Sequence, residues 1–419
     1  MVNDSTVSFN STDSVVIEHE RDEHWHEHER QKRLWIKVFP FEISCFRTFV
    51  TNHLIVRFWN ALFTLMTVSL IVYVVILVNE HKYVSDDVPL FMTILLNFEG
   101  FIFLFLPYIC FLFSKIMISN SDLADLITFA IKTDHRVKFK FALLTHINFF
   151  CLLVAVVSYC VKETYAHMIV VLITSLLYFG PLNISVSLSV CVVELHRIRI
   201  QQLRNDIIES TLSLESAKEK MIDSCEGRET TTTTSADPSI NSGESSVTGY
   251  PPQDVMDSLK EQYYQLYAIC ARTSVNYGHY LLFFFAFGIL YAFTVIFGIY
   301  VGQYPTNGII GFVVVGLFMV LELGLAITSC NEAGHLVCRD LSNYLMSLPC
   351  MQGESSFLPV SEVEVKSKRA NALLLLSAMD FVKLQICYFG NMAMRSQLLL
   401  ALIGSILLAV IPVLIASES

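Results

Sequence analysis

Apolar positions gather into seven long runs separated by polar stretches of unequal length. The runs are Phe58–Val78, Pro89–Phe113, Phe141–Val161, Met168–Val193, Tyr280–Val301, Gly308–Ser329 and Gln397–Ala416. Each reads as a helix long enough to cross the ~30 Å of a bilayer's hydrocarbon core. The links after runs 1, 3 and 5 are short. The links after runs 2, 4 and 6 are longer, and the last two of these much longer. The closing run is two-sided. Gln397, Ala401, Gly404, Ser405, Ala409, Pro412 and Ala416 fall near one helical face, with Leu399, Leu402, Ile403, Ile406, Val410 and Val413 away from it. Small residues on one face fit either close packing against another helix or the wall of a water-filled path between subunits.

The polar stretches carry structure of their own. Glu194–Met221 is charged and helical in pattern, and it continues run 4. Val255, Leu259, Tyr263, Leu266, Tyr267, Cys270 and Ser274 share one face of an amphipathic helix feeding run 5. Run 6 continues helically through Cys330–Ser347, Gly353–Pro359 reads as a loop, and Ser361–Ile386 reads as a helix leading into the final run. Residues 114–140 read as a connecting loop. Residues 1–33 and 226–254 read as disordered, the second a Thr/Ser-rich insertion open to phosphorylation. Domain bounds follow: a tail 1–33, helices 1–4 over 34–193, a cytoplasmic segment 194–279, helices 5–6 over 280–329, an anchor segment 330–396 and the last helix over 397–416.

Composition agrees with a membrane protein. Apolar residues make up 54% of 419, and mean hydropathy is +0.55. Of 28 Lys and Arg, 26 lie on the side of the N-terminal segment and the longer links, and 2 (Lys82 and Lys162) on the other. Cytoplasmic loops collect these residues, so the N-terminus is expected inside and the C-terminus outside, the reverse of a G-protein-coupled receptor. No cleavable signal peptide is expected. A net charge of −10 gives no basic face for nucleic acid. None of the 11 Cys falls in an outer loop, so disulfides are not expected.

Candidate chemistry is sparse. Asn97 and Glu99 lie near the middle of run 2, and Glu322 in the inner half of run 6. A carboxylate at such depth is either functional or a hydrogen-bonded helix contact. Pro107 and Pro181 can kink runs 2 and 4. Ser158, Tyr159, Thr174, Tyr178 and Phe179 either line a pocket for a small organic ligand or pack as aromatics. His19, His24, His26 and His28 alternate with acidic residues, a pattern that can bind a transition metal but is common in flexible tails. There is no phosphate-binding glycine loop, nucleophile–base set or metal spacing within the runs, so neither an enzyme nor a cofactor is expected.

Three stretches carry a resemblance. Tyr263-Tyr264-Gln265-Leu266-Tyr267 through Asn276-Tyr277-Gly278-His279 and Leu281-Leu282 is one. Cys330-Asn331-Glu332-Ala333 followed by Leu341 is the second. Phe389-Gly390-Asn391-Met392, Leu398–Leu400 and Ile403-Gly404-Ser405-Ile406-Leu407 is the third. In order and position they resemble the insect gustatory and odorant receptor superfamily with its invertebrate relatives, over most of residues 35–416. Leu408–Ala416 lacks the Thr-Tyr and Gln-Phe pairs with which many gustatory receptors close, and Pro412 sits inside it, so the chain resembles a divergent branch.

The resemblance implies an all-α membrane protein with seven transmembrane helices and a cytoplasmic helical anchor domain. It implies a multi-pass plasma-membrane receptor that acts as a tetrameric, ligand-gated, non-selective cation channel, alone or with related subunits. The Gln397–Ala416 face would line the pore, with Gln397, Ala401, Gly404, Ser405, Ala409 and Pro412 on it. Val255–Asn276, Cys330–Ser347 and Ser361–Ile386 would form the anchor. The small-molecule ligand would sit among the outer halves of runs 2 to 6, placing Asn97, Glu99, Ser158, Tyr159, Thr174 and Tyr178 as candidates. Other readings are a seven-helix receptor signalling through a cytoplasmic partner, a light- or peroxide-sensing relative, and a transporter coupled through Glu99 and Glu322. The last would commonly show internal repeats, and none is seen.

Overall fold

The computed structural model describes residues 105–133 apart from Pro107, 165–226, 253–300, 306–352 and 362–387. It also describes scattered positions in 38–72 and 146–157, and Gln397, Leu400 and Gly404. The described residues are almost entirely helical and the fold is all-α. Helices are α1 (Ser121–Thr133), α2 (Tyr165–Glu226), α3 (Gln253–Tyr300), α4 (Thr306–Ser347), α5 (Pro349–Gln352) and α6 (Glu362–Phe381). Among the described residues no helix is long and apolar enough to cross a membrane. Much of the apolar sequence lies outside that set: runs 1–3 largely, most of run 7, and the side chains of 165–179, 290–300 and 306–317. The tail 1–33, residues 227–252 and Gly353–Pro359 also lie outside it.

The chain divides into two compact units. One comprises residues 1–89, 101–153 and 172–188. Its core includes Leu106, Phe113, Leu126, Ile127, Val186 and Leu188. Ser185 of α2 donates to the Cys110 carbonyl at 3.2 Å, and its oxygen lies 3.0 Å from that of Ser114. The expectation of a plain loop over 114–140 is corrected here, because α1 occupies much of it. Leu123, Leu126, Ile127 and Ala130 recur at helical spacing and are buried. Asn120 caps the start by accepting the Asp122 N–H at 3.0 Å, and Lys132 sits in the last turn, where a cation suits the helix dipole.

The second unit comprises 90–100, 154–171 and 189–419. α3 and α4 pack along one another, and α4, α5 and α6 touch pairwise. The predicted face of α3 points inward, with Leu259, Tyr263, Leu266 and Cys270 buried. At Gly288 a Cβ would run into the Val320 side chain, so glycine permits the close approach of α3 to α4. Polar cross-links join the charged ends. Arg204 of α2 donates to Asp340 of α4 at 2.7 Å, Lys218 donates to the Ser347 carbonyl at 3.0 Å, and His196 meets Thr273 at 3.0 Å. Lys218 thereby brings a cation to the C-terminal end of α4. Pro181 lies inside α2, which continues through it.

Candidate functional site

The helix expected to run to Ile386 stops short of it. It ends at Phe381, and residues 383–386 are not helical. The reason lies in where the backbone groups find partners. The Val382 N–H still bonds back to Ala378 at 2.8 Å, but its carbonyl accepts the Tyr263 hydroxyl of α3. Gln385 N–H turns back to Lys383 at 3.0 Å. The Ile386 N–H donates to Asn331 Oδ1 at 2.7 Å, and the Ile386 carbonyl accepts Asn331 Nδ2 at 3.2 Å. The Cys387 N–H donates to Ser274 Oγ at 2.9 Å, and Ser274 itself donates to the Cys270 carbonyl at 2.8 Å.

Side chains from α3 and α4 therefore do for this strap what a helix would otherwise do for itself. One amide takes both polar groups of a single peptide residue, which fixes orientation as well as distance. Leu384 and Ile386 are buried while Lys383 is exposed, the alternation of extended chain. Gly334 is required, because a Cβ there would overlap the Leu384 carbonyl. The strap thus lies directly on the α4 backbone.

The polar groups are poised to stay neutral. Burial pushes the Tyr263 phenol well above its usual range, and the adjacent Cys338 adds to this. With its one proton given to Val382, Tyr263 is left to accept from the Cys338 thiol at 3.3 Å. Burial and then the neighbouring Cys387 thiol push Cys270 up to about 12. Neutral groups of this kind bond without the desolvation cost of a charge and have no nucleophilic thiolate to offer.

The residues named from sequence are only partly visible. Asn97, Glu99, Ser158, Tyr159, Ala401, Ser405, Ala409 and Pro412 lie outside the described residues. Thr174 and Tyr178 fall on α2, where only the backbone is described. Gln397 is helical and exposed. Gly404 is helical with open space where a Cβ would stand. Glu322 is half-buried on α4, its Oε1 shielded from solvent. Among the described residues no three His, Cys, Asp or Glu side chains gather to hold a metal, and the eight cysteines whose side chains are described form no disulfide.

Tyr263, Ser274, Asn331 and Gly334 were not singled out as a set by sequence. The signal available was Val382-Lys383-Leu384-Gln385-Ile386, which alternates apolar and polar at period two just ahead of the closing run. No protein-family model matches the chain, and no curated protein matches it.

Proposed function

We propose that the chain is a chemosensory-type receptor of the plasma membrane that acts as a ligand-gated, non-selective cation channel. In this reading seven helices cross the bilayer with the N-terminus cytoplasmic, and copies of the chain, four by the resemblance, surround a path lined by the closing helix. The observation that supports it best is the length and two-part character of α2, α3 and α4. They are unbroken helices of 62, 48 and 42 residues. At 1.5 Å per residue these are about 93, 72 and 63 Å long, two to three times the hydrocarbon thickness. Each joins an apolar run to a charged segment on the side that carries 26 of the 28 Lys and Arg.

Rods of this kind would leave the bilayer together and pack as a cytoplasmic platform, from which the strap hands the chain to the closing run. Exposed apolar residues on α6, including Val363 at 78% and Phe381 at 84%, fit burial between copies. The absence of charge in Gln397–Ala416 fits weak ion discrimination.

Cysteine substitution at Gln397, Gly404 and Ser405, one at a time, with a charged thiol reagent applied during recording, tests this. Block should follow modification at one or more of them, and not at Leu402 or Ile403. Current that is never altered at any of the three would defeat the pore assignment.

A further inference from the structure

The strap's attachments are divided between two helices. Tyr263 and Ser274 hold it from α3, while Asn331 and the bare backbone at Gly334 hold it from α4. The same helices meet at Gly288 and Val320, where contact sets their separation. A segment bonded to both members of a packed pair cannot stay in place when the two shift against each other. Either its hydrogen bonds break or it moves. Shortly after Cys387 the closing run begins at Gln397.

We propose that residues 382–387 are the joint through which displacement of α3 against α4 reaches the closing helix, with Asn331 as its positioning residue. This rests on the channel reading above and adds how that channel is worked. Asn331 is suited to the role because its amide grips both the N–H and the C=O of Ile386. A two-point grip transmits rotation, whereas a single bond would act as a swivel. Energetic coupling of this sort needs an element that both ends bias, and the strap is bonded to α3 and α4 from Val382 to Cys387 and is followed along the sequence by the closing run.

The test uses full-length protein in planar bilayers with symmetrical potassium chloride and no added ligand, read as basal open probability. Gly288→Ala drives a wedge between α3 and α4, and Val320→Ile is a gentler wedge at the same contact should the first not fold. With Asn331 present, the wedge should shift open probability roughly fivefold or more and leave unitary conductance unchanged. In an Asn331→Leu background the same wedge should shift it by less than about twofold. Asn331→Asp keeps the acceptor for the Ile386 N–H and should fall between.

Deuterium exchange across residues 397–416 in matching proteoliposomes reads the joint without current. A wedge response equal with and without Asn331, or none with Asn331 present, overturns the joint. A chain that never conducts, but whose exchange responds to the wedge only when Asn331 is present, would leave the joint standing and remove the channel.

Discussion

Gly334→Ala sets two effects of opposite sign against each other. In an unconstrained helix the added methyl would stabilise by about 1 kcal/mol, the ordinary difference in helix propensity. Here the new Cβ would overlap the Leu384 carbonyl oxygen, lie 2.9 Å from its carbon and 3.1 Å from its Cβ. Two of those three atoms are backbone, so no rotamer change relieves the clash and the strap must lift. Two residues on, the Asn331 bonds of 2.7 and 3.2 Å would stretch past useful length. Each buried Ile386 group left unsatisfied costs about 1–3 kcal/mol.

Asn331 is half-exposed, so water will compensate part of that loss. The net expectation is about 2–4 kcal/mol of lost local stability, or a roughly thirtyfold to several-hundredfold rise in exchange rate. Deuterium exchange on the full-length protein, read on a peptide covering residues 382–387, measures it directly. Exchange that is unchanged or slower in Gly334→Ala would mean helix propensity had won and that the strap does not rest on α4.

Three further outcomes follow from the same geometry. Tyr263→Phe removes the proton given to Val382 with almost no change of shape, and should speed exchange in the strap by about five- to thirtyfold, as expected for 1–2 kcal/mol. Asn183 is fully buried and neither amide atom finds a hydrogen-bond partner among the described residues, so Asn183→Leu should hold or raise the thermal midpoint of the detergent-solubilised chain, whereas a clear drop would mean the amide has a bonding role. Cys270 is raised from 9.0 to about 12, so its folded state favours the neutral thiol. Its contribution is complete below about pH 9 and is lost as pH climbs through the folded value. A pH titration should show an alkaline loss of stability and, near pH 8, iodoacetamide modifying exposed Cys45 well before Cys270. Equal labelling of the two would contradict it.

What sequence could reveal depended on how local each cause was. The α3 face from Leu259 to Cys270 was legible because burial repeats at the helix's own period. α1 was legible in principle, through Asn120 as a cap and Leu123, Leu126, Ile127 and Ala130 at helical spacing, but it hid in a stretch read only as a link between two greasy runs. The end of α6 was different in kind. Nothing in the chain near Phe381 forbids another turn of helix. The helix stops because Tyr263, Ser274 and Asn331, 55 to 119 positions away, offer the backbone other partners. Such a choice is made by tertiary structure, and the period-two alternation after Phe381 was its only local trace.

The proposed channel requires above all that the closing run cross the membrane outward from a cytoplasmic platform. Full-length protein should be expressed with one epitope before Met1 and another after Ser419, and stained on intact and then permeabilised cells. The epitope after Ser419 should be reached on intact cells and the one before Met1 only after permeabilisation. The reverse pattern, or both epitopes on one side, would contradict it.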